Sequence, residues 1–482
     1  MAARSDKFIG LWATAKRRAG PIWSVYGFLF VCSLLFWSLR LVYWRLTQEA
    51  PFSDIMGYVT TGYNIVRDFF FGVSENRPTY YTPITPALIA LAKLIAPISF
   101  EDAFHILVQA ITFVAALGVC REIALLTGKK WLGASFFLIV AICRPSIFWS
   151  LKLSTEPVCE AFLYASAAAA LATVRTRAWY WAALCGVLAL CLGLNRPGFL
   201  LGTMFIPLAF LIQGYSAATG PTIPTEGDGS RPKRSLLSRI SGLDRRAVLI
   251  ASAFLACFFG MWSIWIGRNL INYGVFIPTS STGAQSALWD YQGAPVRIGR
   301  YDALTLSDGS KFSKFENITE EADRYPRDYE GAQRLVMIAR AWYAANWKDL
   351  PRVFLWRLKH IVANRGANGL TQVPREHLFI APTPDHNNPY TLTAWTDLIL
   401  LDKTPFLCFI ALGGLGLFAW KFPVPGLVLT GLALMPWFMS AAVIGYERTV
   451  EALIATTIWF ALFGITEAAL LLNRREAVQQ RG

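Results

Sequence analysis

Two carboxylates lie where they could act on a hydroxyl. Asp54 stands in Ser53-Asp54-Ile55-Met56-Gly57-Tyr58, just after a first apolar run. Glu156 stands in Lys152-Leu153-Ser154-Thr155-Glu156-Pro157, between two later ones. Two acids converging on one cavity orient and deprotonate an acceptor hydroxyl. Each also has a plainer reading: Asp54 as a helix cap, and Glu156 in the first turn of a helix capped by Ser154 or Thr155. Four arginines fall at the same ends of the apolar runs: Arg77, Arg196, Arg268 and Arg448. Arginine at a membrane boundary usually anchors to lipid phosphate. It also grips a phosphate through two parallel hydrogen bonds in a water-poor cleft.

The elements that must position these groups are apolar helices. The chain has 482 residues, of which 55% are hydrophobic and only 16% charged. A soluble chain of this length carries nearer a quarter charged residues. Blocks of about twenty apolar residues match the hydrocarbon core of a bilayer. We place spans at 22–44, 103–126, 131–149, 156–174, 179–194, 198–213, 247–270, 404–420, 424–444 and 450–472, giving an all-α polytopic membrane protein of about ten transmembrane helices. Arg40 and Arg45, late in the first span, are expected either to snorkel to the interface or to face the bundle interior. The first span is read as a signal anchor rather than a removed signal peptide.

Charge sets the expected orientation. Lys16-Arg17-Arg18, Lys129-Lys130, Arg175 and Arg177, the 231–246 stretch, Lys421 and Arg474-Arg475 all fall in alternate connections. The positive-inside rule makes these cytoplasmic, with both termini inside and the acidic motifs on the periplasmic face of a bacterial inner membrane. The net charge of +14 thus reads as topology, which disfavours a nucleic-acid partner. All eight cysteines lie in apolar stretches and read as small core residues, and the four histidines are scattered without ligand spacing.

The expected organisation has five parts: a cytoplasmic N-terminus and first span (1–46), a first outer loop with interfacial helices (47–102), a transmembrane core (103–270) with a cytoplasmic linker at 214–246, an extracytoplasmic domain of mixed structure (271–403), and the C-terminal spans and tail (404–482). In the first outer loop, 55–71 is amphipathic and 84–96 is an apolar helix too short to span. Within the outer domain, 330–363 reads as helical. Ion-coupled transporters place charges near the bilayer midplane and often show inverted repeats. Here the acids sit at span ends and no such repeat is seen. A transporter or lipid flippase is therefore the alternative reading, and a non-catalytic scaffold of envelope assembly a third.

In order along most of the chain, the motifs resemble those of the C-type (GT-C) membrane glycosyltransferases. The likeness is to bacterial relatives of the dolichyl-phosphate-mannose protein mannosyltransferases and to the lipid A aminoarabinose transferase. Ser53–Tyr58 is similar to that family's first acidic motif, Tyr80–Leu91 to its proline-rich lead into an interfacial helix, and Ser150–Glu156 to its second acidic motif. Trp265-Ile266-Gly267-Arg268-Asn269, Ala341–Trp347 and Glu447-Arg448 also fall in familiar places. Glu156 departs from the commoner Asp, and Thr82 stands where the aminoarabinose enzyme has a basic residue. The resemblance implies a polyprenyl-phosphate-linked sugar donor entering from the membrane lipids, and Asp54 as general base. Glu156, Tyr58 and Tyr81 would orient acceptor and donor. The departing phosphate would be held by Arg268, with Arg77, Arg196 and Arg448 as further phosphate ligands. The outcome would be one inverting displacement. It implies no cofactor, leaves a divalent metal open, and does not name the acceptor.

Overall fold

A computed structural model of the chain describes residues 25–42, 44, 53–74, 79–150, 152–219, 244–274, 276–280, 304–305, 311–312, 344, 347–349, 351, 354–355, 358, 404–439 and 453–479. Most of the expected linker at 214–246 (220–243), most of the domain at 271–403, and Arg45, Arg77, Glu447 and Arg448 lie outside these residues.

The described chain is a helical bundle. Its elements are α1 (Val25–Val42), α2 (Ser53–Asp68), α3 (Ile84–Ile95), α4 (Phe100–Thr127), α5 (Lys130–Ile142), α6 (Arg144–Trp149), α7 (Thr155–Thr176), α8 (Trp179–Asn195), α9 (Leu200–Thr203), α10 (Phe205–Thr219), α11 (Arg245–Tyr273), α12 (Thr404–Lys421), α13 (Pro423–Met439) and α14 (Ile454–Gln479). Two-residue strands, β1 (Leu304–Thr305) and β2 (Lys311–Phe312), pair antiparallel within the 271–403 stretch. Six segments among the described residues are long and apolar enough to cross a membrane, and five shorter helices are apolar. α3, at 12 residues, is shorter than the ~20 needed to span.

α7 lies at the centre, packed along α4 and α8, and α8 in turn packs along α11. Large apolar residues on α1 and α11, such as Phe30, Leu41, Ile264 and Ile271, stay exposed, as lipid-facing residues do in a bilayer. Between helices the fit relies on small residues, which let backbones approach in the absence of a hydrophobic drive. Gly186 of α8 sits against the Phe254 carbonyl of α11, and Gly414 of α12 against that of Phe460 in α14. A methyl group at either would collide with backbone.

One expected span is broken. Residues 131–149 form not one helix but α5 and α6, with Cys143 extended between them (φ −64°, ψ 113°). Pro145 is the cause. It has no N–H to offer the carbonyl four residues back, so the α5 ladder ends there.

The basic connections gather at one end of the bundle. Glu122 accepts from Arg175 through both oxygens (2.6 and 3.0 Å) and from Arg121 (2.9 Å). Glu467 takes Lys129 (2.9 Å) and Lys421, and Asp244 takes Arg177. Asp244 caps α11 through the Arg246 N–H; that bond and the Arg177 guanidinium hold its carboxyl below the usual range. Asp54, Glu156, Arg196 and Arg268 lie at the opposite end. Arg40 faces the bundle interior, the second of its two expected placements, and is 3% exposed.

Candidate active site at one end of the bundle

The site is built where α2, α3 and α7 begin and α8 ends. Pro197 stops α8, and Arg196 before it is extended (φ −140°, ψ 105°), as pre-proline geometry requires. Arg196 Nη2 thereby reaches Glu156 Oε1 at 2.6 Å and Thr155 Oγ1 at 3.0 Å. Thr155 Oγ1 donates in turn to Glu156 Oε2 (3.3 Å). Glu156 is 3% exposed, so its charge depends on this pairing. It also occupies the first turn of α7, where the helix dipole favours an anion. Ser154 takes the capping position, but its hydroxyl makes no cap and finds no partner among the described residues.

Asn195 extends the network to the short helix. Its Oδ1 accepts from Thr85 Oγ1 and its Nδ2 donates to the Thr155 carbonyl, both at 2.8 Å. Thr85 and Asn195 are fully enclosed. The first turn of α3 is thus tied to the turns that carry Glu156 and Arg196.

Tyr81 precedes α3 and packs on Tyr58 of α2, ring centroids 4.5 Å apart. It lies so close over Gly57 that a Cβ there would overlap its ring, which explains a glycine inside a helix despite its cost there. Ile55 joins Ile89 of α3 and Leu153 and Val158 around the start of α7 in one buried cluster. The first turn of α2, which holds Asp54, is therefore brought to the same end as Glu156. The Asp54 side chain itself lies outside the described residues.

Arg268 is placed by register. The pairings Arg177 with Asp244 and Gly186 with Phe254 show α8 and α11 running in the same direction at a nearly constant offset. Carried to the end of α8, that offset sets Asn195 and Arg196 level with Trp262–Trp265 and Arg268 about one turn beyond. The Arg268 guanidinium lies over the rings of Phe71 (4.8 Å), Tyr273 (5.2 Å) and Trp265 (5.4 Å). Two of its donors are taken by Asn269 Oδ1 (2.8 Å) and the Tyr273 hydroxyl (3.1 Å). Residues 276–280 fold back over α11: Asn269 donates to the Ile277 carbonyl, Trp262 to that of Pro278 and Trp265 to that of Thr279. The loop after α2 is closed by Thr79 N–H to the Phe71 carbonyl (2.8 Å) and holds Phe69 and Thr79 at positive φ, a strained arrangement for residues with a Cβ.

The structure thus joins Glu156 with Arg196, Tyr58 with Tyr81, and Arg268 with the loop after α2. Two residues were not singled out from sequence. Lys152, in the connection before α7, is 5% exposed and burial pushes its amine down to about 8. Glu160, one turn below Glu156, is buried among helices. Its signal was its spacing, since i and i+4 share a helix face. Among the described residues no group of three His, Cys, Asp or Glu side chains is arranged to hold a metal ion.

No protein-family profile and no curated protein sequence matches the chain. The fold is similar to that of a solved enzyme, the archaeal oligosaccharyltransferase AglB from Archaeoglobus fulgidus, in complex with an inhibitory peptide and a dolichol-phosphate. It aligns over 96% of this chain and 52% of its own, at 14% identity and a TM-score of 0.52. This chain therefore spans about half the length of that enzyme, and at such identity the likeness is one of fold. The apo structure of ArnT from Cupriavidus metallidurans also matches, at 11% identity over 86% of this chain and 77% of its own, with a TM-score of 0.31.

Proposed function

We propose that this protein is an inverting membrane glycosyltransferase that moves a sugar from a polyprenyl-phosphate carrier to an acceptor at the outer face of a bacterial inner membrane. The observation that carries the reading is the buried Glu156–Arg196 pair, bound through Asn195 to α3 and packed at the end where Asp54 begins α2. A GT-C fold with a carboxylate held at this end suits transfer chemistry.

In this reading Asp54 takes the proton from an acceptor hydroxyl or amine as that atom bonds to the anomeric carbon. The bond from the anomeric carbon to the phosphate oxygen breaks, and its electron pair leaves with the polyprenyl phosphate. Attack opposite the leaving group inverts the centre. Arg268, held by aromatic rings, answers the charge growing on the phosphate. Arg77, Arg196 and Arg448 complete the proposed phosphate set, Arg196 with one amino group already committed to Glu156. Glu156 orients the acceptor, and Tyr58 and Tyr81 offer ring faces to a sugar.

The test is transfer from a radiolabelled polyprenyl-phosphate sugar panel in membranes holding equal amounts of wild-type and Asp54→Asn protein. Product from wild-type and none from the variant supports the base assignment. Equal product from both removes Asp54 from that role.

A further inference from the structure

One turn below Glu156 lies a polar group that the chemistry above does not use. Pro145 leaves the carbonyls near the end of α5 without their helical donors, at a depth where water cannot replace them. Arg40, from α1, supplies those donors. Its Nη1 donates to the Ala141 carbonyl (3.2 Å) and its Nη2 to that of Val140 (3.3 Å). Nη1 also reaches the Phe36 carbonyl (3.3 Å), Nε reaches Gln109 Oε1 of α4 (2.8 Å), and Nη2 reaches Ser146 Oγ of α6 (2.8 Å). These five bonds use all the donors a guanidinium has. The Ser146 hydroxyl donates in turn to Glu160 Oε2 (2.8 Å), whose other oxygen accepts from the Tyr164 hydroxyl (3.0 Å). Glu160 thereby answers the buried cation through one hydroxyl.

We infer that Arg40 is a positioning residue for the site: it closes the break at Pro145 and, through Ser146 and Glu160, fixes the connection that carries Ser154–Glu156. What it positions rests on the transferase reading; the clamp itself does not. One side chain of α1 holds α4, α5 and α6 directly, and α7 through Ser146. A lysine has three donors on a point charge and cannot match this planar set of acceptors.

The experiment is hydrogen–deuterium exchange on the full-length protein in lipid nanodiscs, comparing wild-type, Arg40→Lys and Glu160→Gln. The expected result for Arg40→Lys is exchange about tenfold faster in peptides covering 143–155, with those from 404–439 unchanged. Glu160→Gln, which keeps an acceptor for Ser146, should loosen the same peptides less. Unchanged exchange in 143–155, or equal loosening everywhere, overturns the inference. Turnover gives a second arm once the sugar panel yields a product. Arg40→Lys should lower kcat with KM little changed, and combined with Glu156→Gln it should cost no more than Glu156→Gln alone. Independent, multiplying losses would also overturn it. Local loosening in a protein that transfers none of the sugars would count against the transferase reading and for the clamp.

Discussion

The two ends of the bundle carry ion pairs of different design. At the basic end, Glu122 and Glu467 are each met by two cations from separate helices or connections, and the cations keep part of their surface in water. These pairs join helix ends and answer charges that face the solvent boundary. At the other end Glu156 is met by Arg196, which is itself largely enclosed, and by the Thr155 hydroxyl, while Asn195 and Thr85 tie the same turn to α3. Arg268 there is surrounded by the rings of Phe71, Trp265 and Tyr273. Excess cations at one end suit anchoring. A buried pair at the same end as an arginine held among rings suits work on a charged substrate, because interactions in a water-poor site are strong and already oriented.

The sharpest way to break this contrast is at Asp54. Asp54→Asn should lower transfer by about 10²–10⁴-fold, the usual worth of a positioned base, at unchanged abundance in the membrane. The next effect is on stability. Arg196→Met breaks the buried ion pair with Glu156 and should cost about 3–5 kcal/mol, read as an earlier thermal unfolding of purified protein. Arg121→Gln, at the basic end, removes the more exposed of two cations on Glu122 and should cost about 1 kcal/mol or less while leaving turnover unchanged. If the two substitutions destabilise equally, the contrast in design is lost.

Gly57→Ala sets a methyl group against the Tyr81 ring. A misfit of that kind costs about 1–3 kcal/mol, and here it should appear first as a raised KM, since Tyr81 is proposed to face the sugar. The smallest effect concerns Lys152. Its amine is lowered to about 8 by burial, from an ordinary 10.5. Between those values the unfolded chain binds the proton and the folded chain does not, so this group makes stability rise with pH across that window. Lys152→Met should flatten the rise in thermal midpoint between pH 8 and 10.5; an unchanged slope would show the amine is not what titrates.

Much of this was legible before the structure. Apolar runs and alternating basic connections set out the helices, and the ion pairs of Glu122, Glu467 and Asp244 take up Lys129, Arg175, Arg177 and Lys421 as charge alternation requires. Glu156 and Arg196 were both singled out, but as separate candidates. Their pairing depends on how α7 and α8 meet, which neither local sequence states. Tyr58 and Tyr81 came together for the same reason, with Gly57 the local hint. The break in α5 was readable from Pro145 and was passed over because the run stays apolar through Trp149. The network of Arg40 and Glu160 was hidden for a different reason. Its members are far apart in the chain, and a buried charge inside a helix becomes informative only when its partner is known.

The measurement that bears most directly on the account is sugar transfer in membranes by wild-type, Asp54→Asn, Glu156→Gln and Arg121→Gln proteins at matched abundance. The account predicts product from wild-type and Arg121→Gln, and a deep loss in both site variants. Full activity in Asp54→Asn and Glu156→Gln would contradict it.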